Sequence, residues 1–303
     1  MVKGIYCAMI TPLDDDENVD REAVEKIAQR IISQGVDGLL LLGSTGEGIA
    51  LERTAKKEMI RTTRSAIGDS VPIIAGCGST STRLAVENVY DAADTGADAV
   101  IVTPPCYYPF DADALFEYYT EIAKASPVPV YLYNISRFVG VRIPVETVRK
   151  LKDNPKIQGI KESDRDLQYV RELLDATSDR PDFCVMQGSE RVFLQSFDMG
   201  CLAGITVVGN IEAKHVVGLY HAWKAGNQGE AAKLQALLLE YVSVITMLGM
   251  FPKELKVCMK EMNLLKTDKM TSPFPEATEA QRKKILDALN KLHYEIEKGE
   301  DKQ

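Results

Sequence analysis

Lys161 is the residue of this sequence whose setting most strongly suggests covalent chemistry. In the segment QGIKESDRD, residues 158–166, it directly follows apolar residues that are typical of a buried strand. An ammonium group is costly to bury, so a lysine in this position pairs with an acid, reaches water or gives up its proton. A neutral lysine amine attacks a ketone to form a Schiff base, and the protonated imine then stabilises a carbanion on the neighbouring carbon. Lys161 is therefore a candidate nucleophile.

A tyrosine ends the apolar run that precedes this one. Tyr133 can pass protons to and from the intermediates of Schiff-base formation, provided that another hydroxyl, such as that of Thr45, relays them. The three residues together favour catalysis more than any one of them does alone. The simpler alternative is a structural Lys161 that pairs with Glu162 or Glu190, beside an ordinary buried tyrosine.

The motif GSTGEG, residues 43–48, ends another apolar run and is suited to binding a small anion. Its glycines leave backbone amides accessible, and Ser44 and Thr45 add two hydroxyls, so the motif could hold a carboxylate. The alternative is a tight turn in which one hydroxyl only caps the next helix.

These groups need a scaffold that brings several strand ends together. Short apolar runs without polar alternation are typical of parallel strands covered on both faces. We predict such strands at 4–10, 38–42, 72–76, 98–102, 129–133, 157–160, 183–187 and 203–208. Segments with helical spacing lie between them, including 21–35, 81–96 and 144–155. The alternation predicts an α/β fold, a (β/α)8 TIM barrel. A doubly wound sheet is the rival fold, but no G-x-G-x-x-G follows the first strand.

We predict that the barrel spans residues 1–225 and that a helical subdomain, residues 226–303, is appended to it. Strand signals stop near residue 225, and only segments with helical spacing follow. Active sites of such barrels lie at the carboxyl ends of the strands. The strand ends TPPCYY (103–108) and QGSE (187–190) should therefore join Lys161 and Tyr133 at one end of the barrel.

Composition and charge exclude several classes of protein. At 303 residues, with 45% hydrophobic and 26% charged residues, the chain can form a large core and is not expected to be disordered. The net charge of -8 and the absence of a basic stripe disfavour a nucleic-acid partner. We find neither an apolar run of membrane-spanning length nor a signal peptide, so we expect a cytoplasmic protein without a membrane partner.

Cysteine and histidine usage argues against metal or disulfide chemistry. The six cysteines are scattered without a C-x-x-C motif and are expected to be reduced, mostly buried thiols. Only three histidines occur, and His215 and His221 are too far apart for one helical face, so no metal site is expected. The Schiff-base chemistry needs no cofactor, because the imine itself is the electron sink.

Three motifs carry a resemblance to a known family. GSTGE, the YN that ends the fifth strand and GIKES together resemble the N-acetylneuraminate lyase/dihydrodipicolinate synthase family, which are class I pyruvate-dependent aldolases and related lyases. The resemblance runs through the barrel from GIYCAMITPL to GITVV. It implies that Lys161 is the Schiff-base lysine, Tyr133 the acid/base and Thr45 its hydroxyl relay. Ser44 and Thr45 would bind the pyruvate carboxylate.

The resemblance also implies roles for residues around this centre. Ile205 matches a position whose carbonyl lines the pocket. Gly188 and Glu190 follow strand seven, in a region that reads sugar hydroxyls in the lyases, although Glu190 could equally be a solvent-facing helix cap. Tyr107 matches an aromatic residue that reaches across a subunit interface, with Tyr108 as the alternative register. A homotetramer, built as a dimer of dimers, is implied.

Two departures from the synthase pattern bear on the substrate. In the synthases the Tyr-Asn strand end continues through Pro to an Arg that grips the carboxylate of the incoming semialdehyde, and this chain has Ser136 and Phe138 at those positions. Phenylalanine cannot replace a charge-assisted arginine–carboxylate contact, which contributes on the order of 1.5–3 kcal/mol. The unchanged spacing between Tyr133 and Lys161 argues against a gap that would slide Arg137 into place. GST instead of GTT also leans toward the lyases.

The sequence therefore favours a class I aldolase or lyase that cleaves or forms a 2-keto-3-deoxy sugar acid, with pyruvate as one product and an aldehyde as the other. The nearest alternative is 4-hydroxy-tetrahydrodipicolinate (dihydrodipicolinate) synthase of lysine biosynthesis, which would need Arg137 or another cation. Further alternatives are a dehydratase that uses the same imine and a non-catalytic member that only binds pyruvate.

Overall fold

Eight parallel strands close into a barrel in the computed structural model of this protein, which describes residues 2–300. Each strand pairs with its neighbours in chain order, and the last pairs with the first. The strands are β1 (Gly4–Ala8), β2 (Gly38–Leu41), β3 (Ile73–Gly76), β4 (Ala99–Val102), β5 (Val130–Asn134), β6 (Ile157–Glu162), β7 (Cys184–Gln187) and β8 (Ala203–Thr206). The predicted TIM barrel is confirmed.

Helices surround the barrel and continue beyond it. They are α1 (Arg21–Ser33), α2 (Arg53–Ile67), α3 (Thr82–Asp94), α4 (Ala112–Ala125), α5 (Ser136–Val139), α6 (Val145–Leu151), α7 (Leu167–Ala176), α8 (Phe193–Met199), α9 (Gly209–Lys224), α10 (Gln228–Val244), α11 (Lys253–Glu261) and α12 (Glu279–Glu300). Side chains cap several of the helix starts; for example, those of Asp20 and Ser81 accept hydrogen bonds from the backbone of α1 and α3. Within residues 2–300, no helix is long and apolar enough to cross a bilayer.

The strand ends differ from the sequence prediction at the positions that matter most. β5 and β6 continue into polar residues, with Tyr133 opposite Lys161 and Asn134 opposite Glu162 in the ladder. Apolar runs could not show this, because ladder hydrogen bonds come from the backbone and continue regardless of side-chain polarity. β1 and β8 are shorter than predicted, since residues 9–10 and 207–208 lie in loops.

Side chains alternate between two apolar cores. Inward-facing residues of the strands fill the barrel, among them Tyr6, Leu40, Ile101 and Tyr131. Outward-facing residues pack under the helices in a larger core. Alternation along a strand therefore decides which side chains reach the interior of the barrel and which reach the helix layer.

The C-terminal helices pack against the barrel helices. α10 and α11 contact α9, and α12 contacts α10 and α11. Apolar side chains of these helices belong to the same large core as the outer faces of the strands. The final part of the predicted extension, residues 301–303, lies outside the described residues.

Candidate active site

Lys161 and Tyr133 lie side by side at the carboxyl end of the barrel interior. Both are 4% exposed, and the Lys161 Nζ atom lies 4.1 Å from the centre of the Tyr133 ring. Across residues 2–300, Lys161 takes part in no ion pair, so neither acid proposed as its structural partner neutralises it. A buried amine held against a phenol is positioned for nucleophilic chemistry.

The phenol of Tyr133 is more acidic than its burial alone would allow. Burial raises its pKa, but the charge of Lys161 and the nearby polar groups of Lys161, Ser44 and Ser163 outweigh that effect, so the pKa is lowered overall. A tyrosine with a lowered pKa can accept and return a proton at neutral pH more readily than an ordinary phenol. The arrangement suits an acid/base beside the amine.

The hydroxyl that reaches Tyr133 is that of Ser44, whereas the sequence assigned the relay to Thr45. Ser44 lies close enough to the phenol to lower its pKa, and it lines the adjacent cavity. Thr45 is buried next to it, but among the described residues no hydrogen bond joins Thr45 to Tyr133. Adjacent hydroxyls in a glycine-rich turn cannot be told apart without the backbone direction, so the sequence did not show that Ser44 is the one nearer to the phenol.

The GSTGEG turn presents free amides toward this centre. The N–H groups of Gly46 and Gly48 donate to the Gly43 carbonyl at 3.1 and 3.2 Å and are consumed within the turn. The N–H groups of Ser44 and Thr45 meet no acceptor within residues 2–300. Two unused amides with two hydroxyls form a suitable cradle for a carboxylate.

Gly188 lies against the side chain of Lys161. A methyl group at this position would lie 2.0 Å from the Ser163 Oγ atom and 2.5 Å from the Lys161 Cε atom. The sequence placed Gly188 at the substrate, and the structure shows a second reason for glycine here, which is room for the lysine stem. Substitution of this glycine must move the amine.

The Gly188→Ala variant is therefore expected to lose about 100-fold in kcat, because displacements of about 1 Å in a reactive group have effects of that order. The matched control is Gly229→Ala on α10, where the nearest atom to the added methyl is 3.9 Å away. Pyruvate-dependent turnover and circular dichroism of both variants would check this. Full activity in Gly188→Ala would show that the lysine stem is not held by this contact.

Asn134 and Glu162 form a polar clamp on the outer side of the barrel wall. The Asn134 Nδ2 group donates to Glu162 Oε2 at 2.7 Å, and its Oδ1 atom accepts from the Ile143 N–H at 2.9 Å. Glu162 also accepts from the Asp164 N–H. The Asn of YN and the Glu of KES thus fix the loops after β5 and β6, while Tyr133 and Lys161 on the other face are left for chemistry.

Burial makes the Glu162 carboxyl sensitive to pH near neutrality. Burial raises its pKa to about 7, against the opposing hydrogen bonds from Asn134 and Asp164. A raised carboxyl pKa means that the folded state holds the proton more tightly than the unfolded chain does. The stabilisation that this gives is complete below the ordinary glutamate pKa and is lost as the pH rises through about 7.

The free energy of unfolding should accordingly fall by about 2–3 kcal/mol between about pH 5 and pH 8 through this group, at roughly 1.4 kcal/mol per pH unit. Glu162→Gln cannot titrate and should show a flatter profile, while Glu172→Gln on the exposed face of α7 should keep the wild-type slope. Urea unfolding across this pH range measures the difference. Parallel profiles for wild type and Glu162→Gln would contradict the prediction.

Glu190 is placed differently from either expectation. It is 6% exposed, and its Oε1 atom accepts from the Thr206 hydroxyl at 3.0 Å and the Val208 N–H at 3.0 Å, as well as from the Val207 N–H. It is therefore neither a solvent-facing cap nor a free group awaiting a sugar. It fixes the loop after β8, just beyond Ile205, which is buried in the inner core.

Tyr107 and Tyr108 project from the loop after β4. They are 84% and 64% exposed, and their rings stack edge to face with centroids 4.9 Å apart. Tyr107 has a φ of 85°, in the left-handed region that non-glycine residues rarely adopt. Neither ring reaches the Lys161 centre of its own chain.

A cavity of about 210 Å³ opens beside Tyr133. Its lining includes Ser44, Thr103, Cys106 and Phe138. Phe138 is 54% exposed at the entrance. Arg137 is not part of the lining, but its guanidinium lies over the Phe138 ring, 5.0 Å from the ring centre, and its Nη1 atom donates to the Ser163 carbonyl at 2.6 Å. The space is large enough for a small 2-keto acid, and its mouth at Phe138 is apolar.

A buried ion pair joins the GSTGEG turn to the C-terminal helices. Lys256 Nζ on α11 lies 2.6 Å from Glu47 Oε1, and both side chains are at most 1% exposed. Glu47 Oε2 accepts from the N–H and hydroxyl of Thr271 at 2.7 and 2.9 Å. Sequence reasoning missed this contact because nothing local marks two residues so far apart in the chain. Among the described residues, no cluster of side chains could hold a metal ion.

Comparisons with known proteins match this chain to one family. The model of the dihydrodipicolinate synthetase family matches residues 1–292. The 4-hydroxy-tetrahydrodipicolinate synthase of Thermodesulfovibrio yellowstonii is 30% identical over 289 residues, which is 95% of this chain and 98% of that protein.

Solved structures of dihydrodipicolinate synthases and related proteins are also similar to this chain. The 4-hydroxy-tetrahydrodipicolinate synthase of Methylacidiphilum fumariolicum SolV superposes with a TM-score of 0.92 at 27% identity, covering 99% of both chains. YagE of E. coli K12, a prophage protein of the dihydrodipicolinic acid synthase family solved in complex with pyruvate, gives a TM-score of 0.92 at 25% identity and covers 97% of this chain and 99% of that one.

Proposed function

The chain belongs to the dihydrodipicolinate synthetase family, and from that premise we propose that it is a class I aldolase or lyase that uses Lys161 as its Schiff-base nucleophile. The family consists of pyruvate-dependent lyases and synthases. The observation that carries the proposal is the buried Lys161 amine, free of any ion pair among the described residues and held 4.1 Å from the Tyr133 ring.

The proposed substrate is a 2-keto-3-deoxy acid of the sugar-acid type. Lys161 Nζ attacks C2, Tyr133 moves protons as water leaves, and the imine forms. Tyr133 then takes the C4 hydroxyl proton, the C3–C4 bond breaks, and the aldehyde departs. The electrons of the broken C3–C4 bond remain in the enamine on Lys161. The enamine is then protonated at C3 and hydrolysed, which releases pyruvate and restores Lys161.

The proposed contacts with the pyruvate half of the substrate follow from the positions of the residues around Lys161 and Tyr133. The unused amides of Ser44 and Thr45 would hold the carboxylate next to C2. The Ser44 hydroxyl, which lies near the Tyr133 phenol, would serve as the proton relay in place of Thr45. The Ile205 carbonyl would line the same pocket. We also propose that Tyr107, exposed in one protomer, completes the relay of a second copy within a dimer of dimers.

The second candidate is 4-hydroxy-tetrahydrodipicolinate synthase, which condenses pyruvate with aspartate semialdehyde. The names of the relatives favour it. Phe138 at the cavity mouth, where those enzymes are expected to carry a carboxylate-binding arginine, favours the lyase.

One preparation can separate the two candidates. Pyruvate release from a panel of 2-keto-3-deoxy sugar acids is followed by coupled reduction of pyruvate, and condensation of pyruvate with aspartate semialdehyde is assayed in parallel. We expect release from at least one sugar acid and a condensation rate that is lower by at least about 10-fold. Faster condensation with the semialdehyde would reverse the ranking. Pyruvate binding without a borohydride-trapped adduct would overturn both.

A further inference from the structure

Three arginines surround the rim of the barrel next to the candidate active site. Arg137 lies three residues beyond the end of β5, Arg165 three beyond β6, and Arg191 four beyond β7. These strands are consecutive neighbours in the barrel, and their carboxyl ends point the same way as Lys161. We call Arg137, Arg165 and Arg191 the arginine rim.

The arginine rim carries unneutralised positive charge. No member of the rim forms an ion pair with any carboxylate of residues 2–298, although many other arginines of this chain do, such as Arg142 with Asp166 at 2.6 Å. Burial lowers the pKa of the Arg165 guanidinium, and the charges of Arg137 and Arg191 lower it further, against the opposing charge of Glu190. The positive charges of Arg137 and Arg191 therefore both act on Arg165, which follows the strand that lies between theirs.

The neighbouring carboxylates are already engaged elsewhere. Asp164 accepts from the Ser136 N–H at 2.9 Å and the Ser136 hydroxyl at 2.7 Å. Glu190 is occupied by the loop after β8. These acids moderate the positive field but leave the donors of the rim available. A protein of net charge -8 that gathers three unpaired arginines in one place has a use for an anion there.

Backbone and hydrogen-bonding details also indicate a built site. Arg165 has a φ of 67°, in the left-handed region that is unfavourable for a residue with a side chain. The Arg191 Nε atom is buried and has no hydrogen-bond partner, while its Nη2 atom donates to Thr246 at 3.3 Å. Arg137 is fixed by its bond to the carbonyl of Ser163, which lies two residues beyond Lys161 in the chain. The rim is thus connected directly to the candidate catalytic pair.

We propose that the arginine rim binds an oxyanion group at the far end of the aldehyde half of the substrate, so that the enzyme acts on 2-keto acids with a second negative charge. This inference rests on the proposed function and narrows its substrate class. The shared chemistry is an oxyanion that accepts several guanidinium hydrogen bonds, which either a terminal carboxylate or a terminal phosphate supplies.

The test uses pairs of aldehydes that differ in a terminal charge, each condensed with pyruvate. Butanal is compared with succinic semialdehyde, and glyceraldehyde with glyceraldehyde 3-phosphate. Wild type should show a kcat/KM about 10- to 100-fold higher for the charged member of at least one pair, and the pair that responds identifies carboxylate or phosphate. Equal kcat/KM within both pairs would overturn the proposal.

Variants locate the effect. Arg165→Gln and Arg191→Gln should each lower the ratio of charged to uncharged kcat/KM by about 10-fold. Arg171→Gln removes the same charge from an exposed position on α7 and should retain the wild-type ratio. If the two rim variants retain it as well, the proposal fails.

Two further measurements keep the rim and the proposed function distinguishable. Calorimetry with glycerol 3-phosphate and with succinate, with and without pyruvate, reports anion binding without turnover. Wild type should bind at least one of them about 10-fold more tightly than Arg165→Gln, and equal or undetectable binding contradicts the rim. Borohydride trapping of pyruvate at Lys161 should persist in both rim variants. Trapping without any charge preference overturns the rim alone, whereas failure to trap in wild type overturns the proposed function.

Discussion

The Lys161→Arg variant is expected to lose at least about 1,000-fold in turnover and all borohydride-trapped adduct, the larger of the two catalytic losses predicted for this protein. Arginine keeps the positive charge and most of the length of lysine, so the barrel should still fold. Its guanidinium remains protonated at any accessible pH and offers no lone pair for attack on a keto carbon. Pyruvate release and the mass of the peptide that contains residue 161 measure the two losses.

The matched control is Lys156→Arg, which lies just before the opposite end of the same strand and is exposed. It should retain both turnover and the adduct. Trapping in the Lys161→Arg variant would mean that another amine forms the imine. Retained turnover without trapping would mean that the chemistry does not pass through a Schiff base, and in either case the mechanism proposed here would be wrong.

The Lys256→Met variant is expected to lose about 3–5 kcal/mol in the free energy of unfolding. The change removes one partner of a pair whose side chains are 0% and 1% exposed and leaves the Glu47 carboxylate buried without its cation. Burial already lowers the pKa of Lys256, against the opposing charge of Glu47, which shows how little water reaches the pair. Urea unfolding, followed through the fluorescence of Trp223, measures the loss.

Two further variants distinguish the loss of the Glu47–Lys256 ion pair from the loss of side-chain packing. Lys260→Met, one turn further along α11 and 46% exposed, should cost less than about 1 kcal/mol. The double variant Glu47→Gln with Lys256→Met should be more stable than Lys256→Met alone, because no buried charge is then left without a partner. Equal losses for Lys256→Met and Lys260→Met would show that the pair contributes nothing.

The same pair should influence substrate binding. Glu47 belongs to the turn whose Ser44 and Thr45 amides are available for a carboxylate, so a shift of Glu47 changes the cradle. We expect the KM for pyruvate to rise in Lys256→Met while Lys161 remains trappable. That result would show that α11 acts on the candidate site from outside the barrel.

Local sequence patterns predicted the scaffold and the juxtaposition of Lys161 and Tyr133 for identifiable reasons. Parallel strands buried on both faces are apolar throughout, so their runs are visible without other information. Lys161 and Tyr133 were recognisable because each polar side chain directly follows such a run. The rule that barrel sites lie at carboxyl strand ends then brought them together.

The contacts that the sequence did not predict depend on the direction of a side chain or on segments that are distant in the chain and close in the fold. The choice between Ser44 and Thr45 depends on which way the turn points each hydroxyl. The Glu47–Lys256 contact joins segments that only the closed barrel brings together. The engagement of Glu190 by the loop after β8 similarly needs the adjacency of β7 and β8.

Tyr133 is followed by Asn134 in β5, and Lys161 is followed by Glu162 in β6. The inner face of this part of the barrel wall therefore carries the phenol and the amine, and the outer face carries the Asn134–Glu162 hydrogen bond. A single residue inserted within either strand would exchange the side chains of the two faces, because successive side chains face opposite ways. The amine would then point into the helix layer and the acid into the cavity. Within these two strands, related proteins can therefore differ by substitution but not by insertion. Insertions are tolerated only in the segments that follow the strands. New specificities should consequently arise in the connecting segments, while the amine and phenol stay fixed in position.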